Sequence, residues 1–128
     1  MEILKAESLT DFSADKYRRV PLPNTKGLMR LLCFEPNQHV PLHRHPEADE
    51  IFYVLKGQGE ISVGEEKVKV NNGFFVKAPA GVLHKWQNSK ERLVLISVLI
   101  PPSNHAHAEE ITQTIFESKN PKNIKINP

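Results

Sequence analysis

Two short segments centred on histidine constrain this chain more than any other feature. The first reads His43-Arg44-His45-Pro46-Glu47-Ala48-Asp49-Glu50 and closes on Gly57. The second runs from Gly73 through Pro79 and Gly81 to His84 and Asn88. Side chains two apart on a β-strand share a face, with Cα atoms roughly 6.5–7 Å apart. His43 and His45 are therefore expected to aim together into one wall, with Arg44 turned away. After a turn opened by Pro46, Glu50 starts the next strand and can fold back beside His45, while His84 comes from a later strand. Three neutral imidazoles and an ionised carboxylate on stiff strands suit a divalent transition metal. Mixed N and O ligands favour Fe, Mn, Ni, Cu or Zn, whereas Ca prefers oxygen alone. On an octahedral ion, four such ligands leave two positions for water, dioxygen or a chelating substrate.

Between residues 28 and 88 short apolar runs are separated by turn residues, the pattern of an antiparallel barrel or sandwich. Strands are predicted over 28–35, 50–56, 60–63, 67–70, 74–77, 82–88 and 92–100. Gly64-Glu65-Glu66 reads as a hairpin turn, flanked by Val68 and Val70 alternating with Lys67 and Lys69. Asn71-Asn72-Gly73 turns the chain because Asn and Gly tolerate positive φ. Pro79 and Gly81 fit the second and fourth places of a type I turn. The strand over 92–100 is apolar on both faces, which predicts a central place in a packed sheet or cover from a second subunit. Phe52 and Val54 share the face of Glu50, and Val82 and Trp86 that of His84, so these side chains are expected to wall the ligands. Trp86 is read first as barrel packing and second as a stacking partner for substrate. Glu47 and Asp49, in the loop beside the ligands, are candidates for an acid or base near the mouth. His39 precedes the first histidine pair, either supporting the ligands or exposed. Arg30 or Arg44 could meet an anionic substrate, although parity turns Arg44 from the metal.

With 128 residues the chain is read as one domain. Residues 1–20 form an N-terminal edge segment, 21–102 the barrel, and 103–128 a tail or short helix. Ala108, Ile111 and Ile115 fall at helical spacing behind Ser103 or Asn104 as cap, yet 111–116 is equally rich in β-formers. His105-Ala106-His107 has no acidic or third imidazole partner at comparable spacing and reads as exposed tail or helix start. The net charge of +2 is too small to argue for nucleic acid, and Lys119, Lys122 and Lys125 read as a solvated basic tail. The longest apolar run, over 93–100, is too short to span a membrane, and residues 1–13 carry no signal-like stretch. The single cysteine, Cys33, lies in an apolar run and reads as a core thiol. A soluble cytoplasmic protein is the expectation.

The two segments together resemble the cupin superfamily, specifically its small single-domain conserved-barrel type. The first motif of that family, G-x5-H-x-H-x(3,4)-E-x6-G, is met by His43, His45, Glu50 and Gly57. The second, G-x5-P-x-G-x2-H-x3-N, is met by Gly73, Pro79, Gly81, His84 and Asn88. Asn37 stands where the family usually has glycine, and asparagine is the next most tolerant residue for a left-handed backbone. The resemblance implies an all-β, jelly-roll-like double sheet, with His43, His45, Glu50 and His84 as ligands of one divalent metal per chain. It also implies a small-molecule ligand or substrate and a homodimer. Dioxygenase-type chemistry is the leading functional expectation. A sugar or small-molecule isomerase or decarboxylase, or a metal-dependent binding module without turnover, are the alternatives. No phosphate-binding loop, nucleophile triad or helix-turn-helix accompanies the two motifs, so any catalysis is expected to run through the metal.

Overall fold

The computed structural model describes residues 1–102 and the backbone of 109–110. In chain order the elements are α1 (Ala6–Leu9), β1 (Arg18–Pro21), β2 (Leu28–Phe34), β3 (His39–Arg44), β4 (Asp49–Lys56), β5 (Gln58–Val63), β6 (Glu66–Asn71), β7 (Phe75–Ala78), β8 (His84–Asn88), β9 (Leu93–Ile100) and β10 (Glu109–Glu110). They form two antiparallel five-stranded sheets, ordered β1-β2-β9-β4-β7 and β10-β3-β8-β5-β6. The fold is the all-β double sheet expected from the sequence.

Period-two alternation decides what lies between the sheets. On β4 it turns Glu50, Phe52 and Val54 inward, and on β8 it does so for His84, Trp86 and Asn88. The inner faces meet in a core that includes Leu32, Phe34, Phe52, Ile61, Trp86 and Leu95. Gly57 is the lone residue between β4 of one sheet and β5 of the other. Its φ is +92°, and a Cβ there would overlap the Arg92 carbonyl oxygen, so only glycine turns this corner without strain.

Several boundaries differ from the sequence reading. Val63 pairs with Glu66, so the hairpin turn is the two residues Gly64 and Glu65, with Gly64 at φ +60°. On β6, at the sheet edge, Val70 reaches the core but Val68 is 54% exposed: alternation gave its side correctly, but the strand runs past the core. β7 and β8 start at Phe75 and His84, one and two residues later than expected. Of the segment 1–20, residues 6–9 are a helical turn, and the edge strand β1 crosses the predicted boundary to end at Pro21. Glu109 and Glu110 are extended and pair with Arg44 and His43 rather than continuing a helix. The rest of 103–128, including His105 and His107, lies outside the described residues.

β9 runs between β2 and β4, the central place its two apolar faces predicted. Its outer face joins Leu31, Cys33 and Val94 in a second cluster, against which Leu9 and Phe12 of the N-terminal segment pack. Cys33 is fully buried there, and burial pushes its thiol pKa up, consistent with a core thiol. No described helix is long and apolar enough to cross a membrane.

Candidate metal centre

The side chains of His43, His45, Glu50 and His84 are all buried and bring one ligand atom each within 4.8 Å of one another. Both sheets contribute. β3 and β8 place His43 opposite His84, His45 follows just beyond β3, and β4 presents Glu50 from the facing sheet. The inward aim of His43 depends on a local irregularity. Val40 pairs with Trp86 and His43 with His84, so β3 spends three steps where β8 spends two. The extra residue in this bulge, around Pro41 and Leu42, switches the buried positions from Val40 to His43 and His45. Strict alternation from Val40 would have faced His43 outward.

The hydrogen bonds fix which imidazole nitrogens are available. His43 Nδ1 donates to the Pro41 carbonyl at 2.7 Å and His84 Nδ1 to the Val82 carbonyl at 3.0 Å. A carbonyl only accepts, so both Nδ1 atoms carry the proton and each neutral ring presents an Nε2 lone pair. Those lone pairs face the Glu50 carboxylate. Oε1 lies 3.0 Å from His84 Nε2, 3.0 Å from His45 Nε2 and 3.9 Å from His43 Nε2. His45 Nε2, although that close, has no hydrogen bond of acceptable geometry. Lone pairs converging on a carboxylate oxygen in a buried site repel unless a cation lies among them. A proton on Nε2 of His43 or His84 would make that ring a buried imidazolium, whereas one divalent ion satisfies all four atoms. The donor set therefore fits a transition metal.

The other Glu50 oxygen is held by the protein. Oε2 accepts from Ser97 Oγ at 2.5 Å and from Arg30 Nη2 at 3.3 Å. Burial by itself would push the Glu50 carboxyl up. The three imidazoles and the Ser97 hydroxyl close beside it outweigh that effect and hold the group well below the usual carboxylate range. Burial lowers the Arg30 pKa, opposed by the neighbouring Glu50 charge. The sequence reading passed over Ser97. Its signal was its place as the one polar residue in the apolar run of β9.

A cavity of about 20 Å³, room for roughly one water, adjoins the ligands. Phe52 and Trp86 line it, with ring centroids 5.3 Å apart in edge-to-face contact, and Phe52 also meets the His84 ring at 5.8 Å. Val54 is fully buried in the core and does not line this cavity. Val82 is buried. Asp49 does not face the cavity either: its Oδ1 accepts from the Ala80 N–H at 2.8 Å and ties the loop after β7 to the start of β4. Glu47 and His39 are exposed, and Arg44 is partly buried beyond the cavity lining. Tyr17, Arg19 and Arg30 also line it, with Leu32 and Val40. Of these, Arg30 was anticipated, but nothing in the pattern of residues 16–20 marked Tyr17 or Arg19. Asn37, at the usual glycine position of the first motif, adopts φ +68° as that position requires.

Comparison with known proteins agrees with this geometry. An uncharacterized protein of Aquifex aeolicus (strain VF5) is 34% identical over 89 residues, spanning 70% of this chain and 73% of that one. The crystal structure of TT1209 from Thermus thermophilus matches with a TM-score of 0.74 at 30% identity, over 77% of this chain and 96% of that chain. A double-stranded beta-helix domain protein of Klebsiella pneumoniae subsp. pneumoniae MGH 78578 matches with a TM-score of 0.77, over 86% and 96% of the two chains. Its 21% identity bears on the fold alone. The family model described as "Cupin domain" matches residues 30–99, which takes in all four ligand candidates and both residues that hold Oε2 of Glu50. With double sheet, histidine–glutamate cluster and family match in agreement, the chain belongs to the cupins.

Proposed function

We propose that this cupin is a cytoplasmic, homodimeric metalloenzyme that binds one divalent transition metal per chain and performs dioxygenase-type chemistry on a compact organic molecule. The observation that carries the reading is the convergence of three imidazole nitrogens and Glu50 Oε1, with two of the rings locked by their Nδ1 hydrogen bonds. When bound, such an ion supplies Lewis acidity and open coordination positions, and as Fe(II) it also supplies redox capacity toward dioxygen. The protein's own part is to fix that set. Ser97 and Arg30 restrain Oε2 so that Oε1 faces the histidines, while Phe52 and Trp86 exclude bulk water. An isomerase would need a further group to carry a proton. Glu50 is the only carboxylate among the described residues that line the cavity, because Asp49 is engaged with Ala80 and Glu47 is exposed. That weighs toward chemistry at the metal itself.

The test begins with protein purified without a nickel column. Elemental analysis should find about one transition-metal ion per chain, and stripping the ion should lower thermal stability, since a metal that binds only the folded state stabilises it by mass action. Stoichiometry near zero after reconstitution with Mn, Fe, Co, Ni and Zn sinks the metal reading. Protein loaded anaerobically with Fe(II) is then exposed to oxygen with small thiols, enediols, diketones and catechols. Oxygen uptake coupled to substrate loss in the wild type, but not in Glu50→Gln, supports the dioxygenase. Ligand-induced stabilisation without uptake, for any metal, moves the function to a binding module.

A further inference from the structure

Apart from the imidazole nitrogens of the cluster, the wall of the pocket is rich in hydrogen-bond donors and poor in acceptors. Glu50 is its only carboxylate among the described residues, and both oxygens are committed, one to the histidines and one to Ser97 and Arg30. Against it stand two guanidiniums and an indole. Arg30 gives Nη2 to Glu50, but its Nε is buried with no acceptor, and Trp86 Nε1 is likewise buried without one. Arg19 is exposed, with its Cζ 6.0 Å from the Tyr17 ring centroid. Register explains why these groups gather. β1 pairs Arg19 with Leu32 and Pro21 with Arg30, so Arg19 shares the inward side with Leu32 of the core, while Val20 packs on the outer cluster. Tyr17 stacks on Phe34 at 5.3 Å and holds the base of this corner.

Outside the inner cavity the same corner opens into a pocket of about 320 Å³ lined by Lys16, Tyr17, Arg18, Arg19 and Pro41. Three of these five are cationic and none is acidic; of the three cations, Arg18 pairs with Asp11 at 3.0 Å. Tyr17 and Arg19 line both the outer pocket and the inner cavity, which makes them the junction between the two. Residues 16–19 precede the region that matches the family model, 30–99, while Arg30 and Pro41 lie within it.

We propose that Arg19, backed by Arg30, is the anion-recognising end of the pocket, and that the molecule this site takes is a small organic carboxylate. It would enter through the cationic outer pocket, with its carboxylate held by the Arg19 guanidinium and its remaining polar atoms toward the histidine–glutamate cluster. An oxyanion supplies the acceptors that the wall lacks, and a planar guanidinium fork matches carboxylate geometry. The inference rests on the metal reading only for where the far end of the molecule lies. The cationic entrance also predicts that association weakens as salt rises.

The test is calorimetric and independent of turnover. Manganese-loaded protein, its metal content measured separately, is titrated with acetate, lactate, pyruvate and malonate and with the neutral amides lactamide and pyruvamide. At least one acid should bind, its amide at least about tenfold more weakly, as expected for loss of a charge-assisted hydrogen bond. Arg19→Gln should keep full metal content and lose about 10- to 100-fold in affinity for that acid, with little change for the amide. Lys85→Gln, an exposed cation on the outer side of β8, should change neither. No binding by any acid, equal binding of acid and amide, or unchanged acid affinity in Arg19→Gln overturns the proposal. Failure of the metal reading shows separately, as absent manganese, and the same titrations on metal-free protein then decide whether the arginine corner still separates acid from amide.

Discussion

At the scale of single residues, the side chain that most shapes the centre without being a ligand candidate is Ser97. It is fully buried in the middle of β9, paired in register with Arg30 on one side and Phe52 on the other, and its hydroxyl reaches Glu50 Oε2. Ser97→Ala removes that donor and leaves a buried carboxylate oxygen with Arg30 alone. Metal affinity should fall by about 10–100-fold, the usual cost of losing a partner that orients a ligand, while the fold is retained. His84→Ala removes a ligand and should cost more than Ser97→Ala. Chelator competition read alongside far-UV circular dichroism checks both, and equal losses would mean that Ser97 binds or supports something other than Glu50. The four ligand candidates were legible from residue type and spacing, because imidazole and carboxylate at those intervals have few other uses. Ser97 and Arg19 were not, because a hydroxyl or a guanidinium acquires its role only from what the fold sets beside it.

At the scale of elements, the site depends on two departures from regular strand geometry. The bulge in β3 carries His43 to the inner face and places the Pro41 carbonyl under His43 Nδ1, so one irregularity sets both the aim and the tautomer of the ring. Period-two reasoning from His43 and His45 gave the right face for the pair but could not see that Val40, three residues earlier, shares it. The other departure is the corner at Gly57. Gly57→Ala combines a left-handed backbone with a Cβ that overlaps a backbone oxygen, whereas Gly81→Ala has a similar φ of +81° and open space around the added atom. Each should cost about 1–3 kcal/mol for the backbone, and Gly57→Ala about 1–3 kcal/mol more for the overlap. Chemical denaturation of the two variants measures the difference, and equal losses would remove the corner's steric role. Gly73 and Gly81 share the positive φ of Gly57 without its crowding, so the two motifs need a left-handed backbone at all three and close approach at one.

At the scale of the whole molecule, the outer face of the first sheet is only partly covered. Leu9 and Phe12 shield the cluster of Leu31, Cys33 and Val94, and the Arg92 guanidinium lies 4.1 Å from the Phe12 ring centroid. Farther along, the Tyr53–Phe75 pair at 4.9 Å and Ile100 remain at the surface, with Phe75 72% exposed and Ile100 52% exposed. The proposed homodimer would bury this uncovered part, in the twofold arrangement commonest among closed oligomers. Light scattering at micromolar concentration should give twice the chain mass for the wild type and the chain mass for Phe75→Lys, with metal content unchanged. A monomeric wild type would rule the dimer out. What the sequence determined by itself was whatever local chemistry and short periods encode: an all-β chain, the inward face of β4 and β8, the four ligand candidates and the turns that need glycine or asparagine. Tertiary structure alone decided which remote groups meet. Setting Ser97 behind Glu50 and bringing Arg30, Arg19 and Tyr17 to one pocket takes the pairing of β1 with β2, β2 with β9 and β9 with β4, and strand order across a sheet leaves no local trace in the residues it joins.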